Sequence, residues 1–104
     1  MATYVEIAQY QWAEGNRRLS AAASNPDAYE LLMGQVEAVT EEIRRRVGEH
    51  FTLAQLVDVY GGADNWVLDA VEDRADRPGW TAMLSVAQDA AFHFYARGAT
   101  DYRP

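Results

Sequence analysis

Tyr29, Leu32, Val36, Val39 and Ile43 recur at steps of three and four. That spacing gathers side chains on one side of an α-helix and leaves an apolar stripe that another element must cover. Just ahead of the stripe, Asn25 is suited to cap a helix, Pro26 to occupy its first position, and Asp27 to meet the positive end of its dipole. A helix over residues 26–47 follows, with Gly48 as its stop and the pairs Glu41/Arg45 and Glu42/Arg46 on its exposed side. The stripe lasts only about three heptads, which fits a helix in a globular bundle better than a long coiled coil.

The rest of the chain repeats this grammar. Val5, Ala8, Trp12 and Leu19 have helical spacing and predict a first helix over residues 3–22, with Gly15 weakening its middle. Thr52 and Gln55 form a capping box, and Phe51 and Leu56 stand where a hydrophobic staple would close, so a short helix is expected over residues 53–60. Gly61 and Gly62 break it. Asp64 is then expected to cap a fourth helix that carries Trp66, Val67, Ala70 and Val71 and ends near residue 75. After a turn at Arg77, Pro78 and Gly79, Thr81 should cap a fifth helix reaching about residue 97. Apolar residues surround that helix almost completely, which predicts the central, most buried element. The tail after Gly98 reads as short and polar. No alternating period argues for strands, so the expected fold is all-α: a compact bundle of about five helices forming one domain over residues 1–104. Two long N-terminal helices lead into a short helical hairpin and a buried C-terminal helix.

Composition narrows the chemistry. The 104 residues contain no cysteine, which excludes disulfides, thiolate nucleophiles and cysteine-held metal centres. No stretch approaches the roughly 18 apolar residues of a membrane span, and the N-terminus lacks a signal-peptide pattern, so the expected location is cytoplasmic. Sixteen acidic residues stand against nine basic ones, all arginine, for a net charge of −7. Six of the acids and one arginine fall within residues 58–76, the helical hairpin.

That charge bears on the first functional reading, a transcription-associated domain using residues 51–76 as a helix-turn-helix-like hairpin. The second helix would carry Asp64, Asp69, Glu72, Asp73 and Asp76 against Arg74, the wrong sign for phosphate neutralisation. Direct nucleic-acid contact is therefore disfavoured, and a basic partner surface is the better match for residues 58–76. Arg44, Arg45 and Arg46 fan around a helix and complement its C-terminal dipole rather than form one patch.

A second reading is a small enzyme or metal protein centred on Asp89 and His93, which stand at i, i+4 and could pair as carboxylate and imidazole for general-base work. The glutamate-x-x-histidine spacing of di-metal bundles is missing at both His50 and His93, and no phosphate loop, nucleotide fingerprint or calcium loop occurs, so neither a metal nor a cofactor is expected. The leading expectation is a non-catalytic helical protein acting through protein–protein contact, with a homodimer as one form of it. Trp66 and Trp80 are assigned to the core. Tyr10, Tyr60 and Tyr102, with Asp69, Glu72 and Asp73, are the candidate contact residues, because tyrosine is enriched where interfaces draw their energy.

Overall fold

Thr3 turns the chain into its first helix: its backbone is extended and its hydroxyl accepts the Glu6 N–H. The helix, α1, runs Tyr4–Ala21 in a computed structural model that describes residues 3–71 and 84–103. A single 3₁₀ turn, Ala22–Ser24, leads to Asn25, whose side chain accepts the Ala28 N–H and starts α2 at Pro26–Val47 as its sequence requires. Gly48 ends α2 with φ of 69°, the left-handed backbone that glycine adopts without strain. The capping box at Thr52 and Gln55 is formed on both sides, and α3 spans Leu53–Gly61.

Two expectations about the hairpin change. Asp64 does not cap the next helix: it lies inside a 3₁₀ turn, Ala63–Asn65, that the chain enters directly from Gly62. The Ala70 N–H reaches back to the Trp66 carbonyl, so α4, Val67–Val71, begins after Trp66. Its expected continuation to residue 75, the turn at 77–79, the Thr81 cap and Trp80 lie outside the described residues. The next helix, α5, spans Leu84–Ala96.

The described residues form an all-α bundle in which α5 packs along both α1 and α2. It is central but not buried all round. Its inner face is mostly alanine, Ala87, Ala90, Ala91 and Ala96 around Phe92, whereas Phe94 is exposed. Small side chains let the neighbouring helices approach closely. The closest approach is at Gly15 of α1, where a Cβ atom would stand 2.3 Å from the Asp89 Cβ and 3.0 Å from the Ala90 nitrogen. Gly15 thus permits a helix crossing rather than merely weakening a helix. With Trp12 stacked on Phe92, that contact sets α1 and α5 antiparallel.

The tail is not a polar fringe. Thr100 donates its N–H and its hydroxyl to the Phe51 carbonyl at 2.9 and 3.2 Å, and Asp101 accepts the Leu53 N–H at 2.8 Å. Asp101 therefore completes the N-terminal cap of α3 from outside the helix. Tyr95 donates its hydroxyl to the Gly48 carbonyl and lays its ring against Phe51, 5.0 Å between centroids. Residues 48–53 are held from both sides.

Of the two charge pairs expected on α2, Glu42/Arg46 forms and Glu41/Arg45 does not. Glu42 holds both Arg45 and Arg46, at 3.0 and 3.1 Å, and no ion pair joins Glu41 to Arg45 among the described residues. Arg46 continues over the Trp66 ring, 4.8 Å from its centroid, a cation–π contact that ties α2 to the start of α4.

Gly15→Ala should cost about 2–4 kcal/mol, because the methyl meets backbone as well as a side chain and the helices must part. Gly34→Ala, inside α2 with no described residue within 4 Å of the new methyl, should instead gain about 0.5–1 kcal/mol. Thermal unfolding monitored by circular dichroism should show the first variant lowered by about 10 °C or more and the second raised by a few degrees.

Candidate functional site

Polar chemistry inside the bundle gathers where α1, α3 and α5 meet. Trp12 is almost fully buried, stacks on Phe92 at 5.6 Å and takes the edge of Tyr60 at 5.5 Å. Tyr60 also meets Phe92 edge-on at 5.0 Å, and Trp66 closes the group at 6.4 Å from Phe92. Each such ring pair contributes about 0.5–1.5 kcal/mol beyond its buried area. Together they fix α3 against the α1–α5 crossing.

The hydroxyl of Tyr60 leaves this cluster toward α5 and donates to Asp89 Oδ1 at 2.8 Å, with Gln11 Oε1 at 3.2 Å sharing the same proton. Asp89 is the residue whose Cβ faces Gly15, so the crossing brings its carboxyl to the edge of the aromatic group. Burial raises the Asp89 carboxyl above its ordinary value, while the Tyr60 bond and the charge of Arg18 oppose that shift. Tyr60 is pushed far up, first by burial and then by the neighbouring carboxylate, and stays a neutral donor.

His93, one turn further along α5, keeps different company. Its ring meets Phe94 edge-on at 5.8 Å, and its side chain forms no hydrogen bond to a described residue, Asp89 included. Burial, and then the charge of Arg97, lower its pKa and favour neutral imidazole. The expected Asp89–His93 pair is thus replaced by an Asp89–Tyr60 pair, because α3 supplies a closer donor than the helix's own next turn. Gln11 and Tyr60 escaped the sequence reading as partners of Asp89. Their separations in sequence from Asp89 exceed any local pattern.

The other candidates scatter. Tyr10 is exposed on α1, whereas Tyr60 is half-buried with its hydroxyl turned to Asp89 and Gln11. Tyr102 is half-buried beside Gln9, Trp12 and His93. Asp69 is exposed at the rim of a cleft of about 420 Å³ with Glu41, Glu42, Arg45, Arg46 and Trp66. Glu72 and Asp73 lie outside the described residues. Asp58 and Asp64 are exposed, so the described part of the hairpin presents acid to solvent. No three acidic or histidine side chains come together as a metal cluster among the described residues. Nor is any described helix long and apolar enough to cross a membrane.

A raised folded pKa means that Asp89 stabilises the fold most when protonated. That contribution is fully present below the unfolded carboxyl value and is lost as pH rises through the folded one. Asp89→Asn should therefore remove this pH dependence, and its stability relative to the parent should improve from acid to neutral pH. Tyr60→Phe should cost about 1–3 kcal/mol at neutral pH, by leaving the carboxylate without its donor. Urea unfolding of both variants at pH 4 and pH 7 checks this. Comparison of the chain with models of known protein families, with curated proteins and with solved structures gives no match.

Proposed function

We propose that this chain acts through protein–protein contact, as a homodimer joined by the outer side of α1. The observation that carries the reading is three large apolar side chains on the solvent side of one helix: Tyr4 is 86% exposed, Tyr10 73% and Ile7 47%. Single exposed apolar residues are ordinary on protein surfaces, but a row of them on one helix is the mark of a contact face. Val5, Ala54 and Val57 continue the apolar surface beside Tyr4 into a shallow groove between α1 and α3.

The choice of a second copy as the partner rests on the order of residues along that side. Ile7, Tyr10, Glu14 and Arg17 follow one another at helical spacing, apolar and aromatic first, charged second, with Glu14 and Arg17 already paired. Two such helices laid antiparallel about a two-fold axis between Tyr10 and Gln11 place Tyr10 against its own counterpart. Tyr4 then meets Arg17 of the second copy, a cation–π match, and Ile7 meets the methylenes of Glu14. Such a patch is complementary to itself, as an isologous interface requires.

Sedimentation velocity over a concentration series should give a dimer, and Tyr10→Glu should weaken it at least tenfold, by setting two charges face to face at the axis. The substitution is on the surface, so the helical signal and the unfolding midpoint should hardly move. A parent chain that stays monomeric at several hundred micromolar would overturn the proposal.

A further inference from the structure

One hydroxyl stands between two acceptors where α5, α3 and α1 meet. Tyr60 Oη is 2.8 Å from Asp89 Oδ1 and 3.2 Å from Gln11 Oε1, and each of the three helices supplies one of these residues. An ionised carboxylate and an amide oxygen only accept, and the phenol has one hydrogen to give. With Asp89 ionised, Tyr60 gives that hydrogen to the shorter, charge-assisted bond, and the Gln11 oxygen is left to water. A proton on Asp89 Oδ1 fills both gaps. The carboxyl then donates to Tyr60, whose own hydrogen turns to Gln11, and one chain of bonds runs from α5 through α3 to α1. We propose that these residues form a proton-operated latch, in which protonation of Asp89 ties α3 to α1 through Tyr60 and Gln11.

The surroundings suit this exchange. Tyr60 keeps its hydrogen throughout, because burial and the neighbouring acid push its pKa far above that of any carboxyl. Among the described residues, the charge that acts on Asp89 from α1 is Arg18, which favours the ionised form, and from α3 it is bonded by Tyr60, which does the same. Burial outweighs both and favours the protonated form. Asp64, in the turn after α3, acts on Tyr60, and His93, one turn along α5, is bonded to neither. The two helices that the latch joins also line the apolar groove beside Tyr4, with Val57 one turn before Tyr60 on α3 and Tyr4 two turns before Gln11 on α1. The charge of a single acid on α5 therefore sets how firmly the two walls of that groove are joined. The latch is internal to one chain and does not rest on the proposed dimer.

The test is an NMR pH titration of the full chain, followed at the Asp89 carboxyl carbon and assigned through Asp89→Asn. Gln11→Ala puts a good helix former at an exposed position, so the fold should be kept. It removes an acceptor that completes the chain of bonds only when Asp89 is protonated. The proton affinity of Asp89 should therefore fall about two- to fivefold, a midpoint about 0.3–0.7 lower on the pH scale. In a Tyr60→Phe background the same substitution should leave the midpoint where it was, because the link is already cut. A reading that needs no variant comes from the Gln11 side-chain amide in proton–nitrogen spectra, whose two resonances should move with the Asp89 midpoint. An unchanged midpoint in Gln11→Ala overturns the latch, and so does a raised one, which means that Gln11 serves the ionised form by donating from its amide nitrogen. Equal lowering with and without the Tyr60 hydroxyl, or Gln11 resonances indifferent to Asp89, count against it in the same way.

Discussion

The contact of Gly15 with Asp89 and Ala90 is the constraint on which the rest of this bundle depends. A side chain of any size at residue 15 would hold α1 away from α5, and the interior of a protein, packed as densely as a crystal, has no slack to absorb the gap. Close approach puts Trp12 flat on Phe92 and lets Tyr60 complete the aromatic group. It also decides where Asp89 points its carboxyl, and so which hydroxyl becomes its donor. One missing Cβ thereby sets both the packing of the core and the placement of the Asp89 carboxyl.

Around that crossing, the connections between helices are held by chemistry that reaches across the chain. The segment from Gly48 to Leu53 is gripped by Tyr95, Thr100 and Asp101, and α3 owes its N-terminal satisfaction to Asp101 as well as to Thr52. Arg46, paired with Glu42 and lying over Trp66, plays the same part between α2 and α4. In both places an end of a helix, with its unsatisfied groups and its dipole, is where a distant polar side chain has most to offer.

What the sequence disclosed, and what it hid, divides along distance. Asn25 capping α2, Gly48 stopping it and the box at Thr52 and Gln55 were legible because each involves residues within four of one another. Asp64 misleads for the same reason: it looks like a cap locally, but the chain leaving Gly62 takes a 3₁₀ turn that postpones the helix. The central place of α5 is legible in its apolar residues, but which of them face inward is not: the alanines, not Phe94, form the inner face. Of the candidate site residues, Asp89 and His93 both lie on that helix, one turn apart. The partner of Asp89 could not be read, because Tyr60 comes to it only through the tertiary fold. Nothing within a few residues of Gly15 announces that a helix will cross there.

The antiparallel pairing of α1 with α5 has a consequence for how the molecule comes into being. Residues 15 and 89 lie far apart in the chain, so α1 is synthesised well before the helix that covers it. Until α5 arrives, α1 exposes Trp12 and Leu19 on one flank while Tyr4, Ile7 and Tyr10 stand bare on the other. For that interval both of these apolar flanks face water. The Glu14–Arg17 pair and the charges of Glu6 and Arg18 are then what keeps the nascent helix in water, a solubilising duty that ends when the bundle closes.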